Sequence, residues 1–249
     1  MSERFPTLPE TPYWNGSWQM MPPGKSKGAK RRTTRPGEKC GFFRELHDVD
    51  VIPIEEWDEW LASDIDLATN ILHTYDQDGI GSCAAEGVNG CVENMISVQG
   101  QTPPLFNPYG MYHFTSGGRD QGSTLEDNLE FARDRGCIRA ELWPRSKGFR
   151  ARPSDEALED AKRFRIDEYY EVENWEELGS ALFQKFAGYA AYTGHAWEAV
   201  RPVNKTQLKW HNSWGEEWGD GGYGIINANR VQFSYGIFVV RSVLWVPDN

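Results

Sequence analysis

Residues 211–226 read HNSWGEEWGDGGYGII. The stretch closes one strand-like pattern, QLKWHNSW, crosses a glycine-rich turn and resumes as another, GYGIINA. GYAAYT and HAWEAVRPV precede it and IFVVRSVLWV follows, so everything beyond residue 186 reads as strands joined by glycine-rich turns. His195 opens an apolar strand just after Gly194, and Asn212 lies on the next one. Antiparallel pairing of those two strands brings an imidazole beside a carboxamide, whose carbonyl can fix the ring's tautomer.

Upstream the texture is helical. CAAEGVNGCVENMIS sets Ala84, Val88, Cys91, Val92, Met95 and Ile96 at helical spacing, which predicts one apolar face toward a core. Gly87 and Gly90 weaken it as a surface helix and permit close packing. STLEDNLEFARDRG opens with Ser123 as N-cap and Glu126 three residues on, and PSDEALEDAKRF and NWEELGSALFQKF open similarly. VDVIPIEEWDEWL mixes a strand-like start with a helical turn, and folded structure is expected to begin there. Helices first and strands later predict an α+β protein of two lobes.

Cys83 follows Gly81 and Ser82 at the start of the first long helical pattern. Unpaired backbone N–H groups and the helix dipole favour an anion there, which lowers a thiol's pKa. A thiolate nucleophile needs a base, and the five histidines are His47, His73, His113, His195 and His211. His211 alternates to the opposite strand face from a catalytic position and reads as structural, and His47, His73 and His113 have no matching context. Cys91 reads as core.

At these residues the sequence resembles the papain family of cysteine peptidases. DQDGIGSCAA (76–85) is similar to its glutamine and nucleophile segment, GHAWEAV (194–200) to its histidine strand, and NSWGEEWGDGGYGII (212–226) to its asparagine motif. The resemblance covers about residues 51–245, with the chain order Gln, Cys, His, Asn. It implies a two-lobed fold with a catalytic cleft: a helical lobe over 51–165 carrying Gln77 and Cys83, and an antiparallel β lobe over 166–249 carrying His195 and Asn212. It further implies Cys83 as nucleophile, His195 as general base then acid, Asn212 as its orienter and Gln77 as an oxyanion donor beside the Cys83 N–H. Trp214 would shield the His–Asn bond, Gly122 would present backbone to an extended peptide, and Gly81 and Gly194 would line the substrate cleft with it. The implied activity is hydrolysis of peptide or protein substrates, with no metal and no organic cofactor.

Departures from the family pattern are Ala84, where a Trp is usual; Glu86, where an apolar aromatic is usual; and Ile80, where secreted members have a cysteine. The insert between GYAAYT and the histidine is almost absent. Glu86 would raise the pKa of the thiol if it faced it. These features motivate a second reading, a papain-fold binding or structural component without turnover, and a third, acyl transfer to an amine on a dedicated partner.

The chain has 249 residues with a formal net charge of −11. Residues 1–50 hold nine Lys/Arg against six Asp/Glu, and the rest 17 against 31. The acidic body disfavours nucleic acid as the main ligand. The basic Pro/Gly-rich residues 1–50 read as an arm outside the core, with two roles in view: a short propeptide or cleft plug, or a dock for an acidic partner or assembly. Four scattered cysteines, a polar start and no apolar run near the roughly 20 residues of a membrane helix predict a soluble intracellular protein with free thiols and no membrane contact.

Overall fold

A computed structural model describes residues 21–247. A two-residue strand, β1 (Ala29–Lys30), pairs in parallel with β2 (Ser123–Thr124). The helices are α1 (Trp57–Leu61), α2 (Cys83–Val98), α3 (Pro108–Thr115), α4 (Leu125–Asp134), α5 (Asp155–Ala161) and α6 (Trp175–Phe183). The remaining strands are β3 (Phe164–Glu171), β4 (Ala187–Tyr192), β5 (His195–Asn204), β6 (Gln207–His211), β7 (Tyr223–Asn227) and β8 (Phe238–Trp245). They form one antiparallel sheet in the order β3-β8-β4-β5-β6-β7.

Two large hydrophobic cores give the α+β chain its two lobes, with a small third cluster of Ile52, Trp57 and Phe183 beside them. One gathers α2 to α5 with Phe164 and Val243, through Val88, Leu129 and Ile138. The other packs α6 on the long strands, through Leu182, Trp197, Trp210 and Val239. The sheet begins at Phe164, just before the expected end of the helical lobe at residue 165, and α6 forms where NWEELGSALFQKF predicts a helix, within the residues expected for the β lobe.

Helix starts follow local chemistry. Asn107, Thr124, Ser154 and Asn174 each accept a hydrogen bond from a first-turn N–H, capping α3, α4, α5 and α6. The expected cap at Ser123 is therefore corrected by one residue. Ser123 pairs with β1, and its hydroxyl accepts from the Asn128 amide at 2.8 Å instead.

Helix α2 also differs from expectation. It has no solvent face: every residue from Cys83 to Ile96 is buried, Glu86, Asn89, Glu93 and Asn94 included. Packing on both sides explains this, and each of the four side chains makes at least one hydrogen bond, as in Asn94 Nδ2 donating to Glu198 Oε1 at 2.7 Å, although Asn89 Oδ1 and Asn94 Oδ1 have no partner among the described residues. The two glycines make the approach feasible: a Cβ on Gly87 would lie 2.9 Å from the Tyr189 ring, and one on Gly90 2.9 Å from Glu198 Oε2.

Folded structure begins earlier than residue 51. Phe43 is fully buried and meets Phe186 edge-on at 5.8 Å, and Gly41 O accepts from Glu171 N at 3.0 Å. A Phe pair inside a Pro/Gly/Lys-rich stretch has no periodicity to announce it. The strand-like start at VDVIPI forms no strand: Ile52 N donates to Ser180 Oγ at 2.8 Å, its carbonyl accepts from Trp57 Nε1 at 3.0 Å, and Ile54–Glu56 is a 3-10 turn. Residues 1–20 of the arm lie outside the described residues.

Candidate active site

Cys83 is the first residue of α2 and fully buried. The Ser82 hydroxyl makes no cap bond, and turns instead to Glu86 at 2.9 Å. The Cys83 Sγ accepts from Ala196 N at 3.4 Å, which sets the sulfur against the start of β5. His195 is there because β4 and β5 form a hairpin on the two-residue turn Thr193–Gly194, both at positive φ, with Tyr192 opposite His195.

The β5–β6 pairing matches Glu198 with His211, so Asn212 emerges just past the end of β6, level with the histidine. His195 Nε2 and Asn212 Oδ1 are 2.6 Å apart. A carboxamide oxygen only accepts, so Nε2 carries the proton and Nδ1 is the free base, making no hydrogen bond among the described residues. Trp214 stacks on the imidazole at 4.3 Å and 25°, with Trp218 edge-on behind it at 5.7 Å. His211 faces elsewhere, toward Thr74 Oγ1 at 3.1 Å and Glu198.

Gln77 reaches the same place from the loop before α2. Its Oε1 accepts from Ser213 Oγ at 2.7 Å and its Nε2 donates one proton to Ile80 O at 2.6 Å, which fixes the amide and leaves the second Nε2 proton for the cleft. Gly122 sits at φ +74°, but its N–H is occupied by Tyr112 Oη at 2.8 Å. The donor facing the cleft is the next one along, Ser123 N–H. The implied role of Gly122 thus shifts to making room.

The cleft is filled by the chain's own arm. Ser26 O accepts from Gln77 Nε2 at 3.1 Å and from Trp214 Nε1 at 3.2 Å. Gly28 N donates to Cys83 Sγ at 3.2 Å, Gly28 O accepts from Ser123 N at 2.9 Å, and Ala29 N donates to Gly194 O at 2.9 Å. Contact is so close at Gly28 that an added Cβ would lie 1.7 Å from Gly81 O, and one on Gly122 would lie 2.1 Å from Gly28 O. Beyond the cleft, Lys25 pairs with Asp76 at 2.5 Å, Arg32 with Glu126 at 2.8 Å and with Glu171, and Lys39 with Glu130 at 2.9 Å. The basic arm therefore finds acidic partners on its own body.

This cover sets the site's electrostatics. Burial pushes the Cys83 thiol up, against backbone N–H groups that include those of Ala196 and Gly28. Burial pushes His195 down to about 3, with Lys27 of the arm adding to the effect and the Asn212 bond opposing it. Both shifts favour a neutral thiol and imidazole over the ion pair.

No protein-family model matches the sequence, and no curated protein matches it. Solved structures do. Xylellain, a cysteine protease from Xylella fastidiosa, superposes with a TM-score of 0.62 over 86% of this chain and 99% of its own, at 19% identity. The chain has a papain-like fold. Procathepsin L2 from Tenebrio molitor larval midgut superposes at 0.66 over 94% of this chain and 83% of its own, at 16% identity. The ragweed pollen cysteine protease Amb a 11, in its proform, gives 0.61 over 87% and 73%, also at 16% identity.

Two departures from the papain-like pattern have local explanations. Glu86 is held by Ser82 Oγ and by Arg145, each at 2.9 Å. Around Ile80, the neighbouring Gly81 N donates to Asp120 Oδ1 at 2.8 Å, which also accepts from Tyr112 Oη at 2.9 Å. That chain continues to Gly122, tying the two cleft loops without sulfur, and all four cysteines are free. Sequence reading missed Ser213, Tyr112, Asp120 and Arg145. Ser213 adjoins a motif residue and could have been found, whereas the other three are distant in sequence from what they hold. Among the described residues no cluster could hold a metal ion, and no helix is long and apolar enough to cross a membrane.

Proposed function

We propose that this chain is a cysteine peptidase of papain type whose cleft is held closed by residues 24–32 of its own arm. The observation that carries the reading is the convergence of the Cys83 sulfur, the His195–Asn212 pair and the Gln77 amide around one stretch of backbone, Ser26 to Ala29. Two of the similar structures are proforms, which agrees with a covered cleft.

With the arm displaced, the Cys83 thiol gives its proton to Nδ1 of His195, and the thiolate adds to a peptide carbonyl carbon. The carbonyl's electron pair moves to oxygen, which accepts from Gln77 Nε2 and the Cys83 N–H. Collapse restores the C=O and breaks the C–N bond, and the amine leaves with the proton from His195. Water, deprotonated at Nδ1, then attacks the thioester and releases the acid and the thiol.

The arm in place cannot enter this sequence. The group it presents to the sulfur is an N–H, and the carbonyl on Gln77 belongs to Ser26, two residues away. The competing reading as an inactive scaffold draws on Ala84, Glu86 and the shortened second lobe; of these, Glu86 has its charge compensated by Arg145.

The test is intact-mass capture of an acyl-enzyme after adding activated peptide esters to the protein nicked within residues 30–35. An adduct on Cys83, and peptide hydrolysis lost in Cys83→Ala, are expected. No adduct and no hydrolysis across a mixed peptide library would overturn the proposal.

A further inference from the structure

Gln77 is fixed from one side by Ser213, and the other side is held by residues that the papain-like pattern does not predict. Tyr109 Oη donates to Gln77 O at 3.1 Å. Arg145, on a 3-10 turn after Pro144, lies over the Tyr109 ring at 4.0 Å and donates Nη2 to the carbonyl of Asp76, the residue before Gln77. The same guanidinium grips the Glu86 carboxylate with both terminal nitrogens, at 2.9 and 3.3 Å. Glu86 is fully buried in the first turn of α2, three residues past Cys83.

We infer that Arg145 is a positioning residue for the oxyanion site, joining the helix that carries Cys83 to the loop that carries Gln77 through Glu86 on one side and the Asp76 carbonyl on the other. The two donors of that site, the Cys83 N–H and the Gln77 amide, lie on the helix and on the loop before it. A turn in which Ile80 N donates to Gln77 O at 3.0 Å and Gln77 Nε2 to Ile80 O at 2.6 Å links them along the chain, and Arg145 ties them from outside that turn. A planar guanidinium is suited to it: two parallel bonds go to a carboxylate while an N–H remains for a carbonyl. Glu86 and Arg145 therefore form a unit, and the Glu86 departure acquires a purpose. Burial raises the Glu86 pKa, and Arg145 with Ser82 opposes that rise, keeping the carboxylate able to serve as the anchor.

The inference rests on the peptidase reading, and its test separates the two. A peptide aldehyde adds Cys83 Sγ to its carbonyl, forming a C–S bond and an oxygen that sits in the oxyanion site and takes a proton from His195. Iodoacetamide alkylates the same sulfur with loss of iodide and forms no such oxygen. Displacement of the arm limits both reagents equally, so the ratio of aldehyde affinity to alkylation rate isolates the oxyanion site in the full chain. Arg145→Met is expected to lower that ratio about tenfold to a hundredfold, the scale of one misplaced donor. Glu86→Leu/Arg145→Met, which removes both charges and avoids a lone buried carboxylate, is expected to do the same while keeping its fold by circular dichroism. Combining Arg145→Met with Gln77→Ala should add little to Gln77→Ala alone, and Arg145→Lys should recover only part of the loss. A ratio within twofold of the unaltered chain, or a full additive loss on top of Gln77→Ala, overturns the inference. Normal aldehyde binding with no peptide hydrolysis overturns the peptidase reading instead, and a Cys83 inert to both reagents overturns both.

Discussion

The floor of the proposed active site and the strand that covers it are built differently. Cys83, His195, Asn212 and Gln77 are all buried, and their side chains are fixed by α2, by the β4–β5 hairpin and by the Ser213 hydroxyl. The cover, residues 24–32, buries only Ala29, and it is held by a few backbone bonds and by ion pairs that stay partly in water, such as Lys25–Asp76 at 18% and 40% side-chain exposure. A floor held by packing keeps its geometry when the cover leaves. A cover held by backbone bonds and ion pairs, with one largely buried anchor at Arg32, can leave without unfolding the protein.

The largest effects should come from breaking the floor. Cys83→Ala is expected to remove hydrolysis on the order of 10⁵-fold or more in kcat, measured with the arm nicked, while the melting temperature stays close to that of the unaltered protein. Gln77→Ala should cost about 100-fold in kcat with KM little changed, since it donates to an oxygen that gains charge only in the transition state. Equal losses in kcat and in folded protein would mean that Gln77 is structural.

Acidity should act on the cover alone. His195 is held to about 3 beneath the arm, against 6.5 for the free side chain. Below about pH 6.5 the open form binds a proton that the closed form refuses, so the closed form's advantage is present above that value and is lost as pH falls toward 3. At pH 5.5 the open fraction should rise about tenfold over pH 7.5, read as about tenfold lower protection of the Gly28 and Ala29 amides relative to their chemical exchange rate at each pH. The Cys83 shift has the opposite sign, since the closed form keeps a proton that the open form releases in alkali, so protection from exchange should be greatest near neutrality. Protection factors that stay constant on both sides of neutrality would separate these residues from arm opening.

The smallest effect belongs to the ion pairs. Lys25→Ala, or a change from low salt to 0.5 M, should increase opening less than about fivefold, because exposed pairs contribute roughly 1 kcal/mol or less. Arg32→Ala should exceed Lys25→Ala, since Arg32 is about 10% exposed and its partners Glu126 and Glu171 about 5%. A reversed order would mean that the arm is anchored at the Asp76 end.

What the sequence made legible follows the same division. The order Gln, Cys, His, Asn, the strands after residue 186 and the helix starts at Ser154 and Asn174 were readable because each rests on local pattern or on a short motif. The path of the arm was not, because reading it requires knowing that Gly28 meets Gly81 and Ser26 meets Gln77, contacts across more than 50 residues that no periodicity encodes. Arg145 was hidden for the same reason, although Glu86 advertised itself as an oddity. The cap at Thr124 was missed by one residue because Ser123 and Thr124 are equally good cap chemistry, and only strand pairing distinguishes them.

The most direct measurement compares the full chain with Gly28→Ala, whose added Cβ has no room beside Gly81 O, using an epoxide or vinyl-sulfone thiol trap and mass mapping of every cysteine. A slow Cys83 in the full chain that becomes at least about tenfold faster in Gly28→Ala, and returns to the slow rate when His195→Ala is added, is what a working thiol beneath a displaceable arm requires. Cys83 in Gly28→Ala reacting no faster than Cys40 would contradict it.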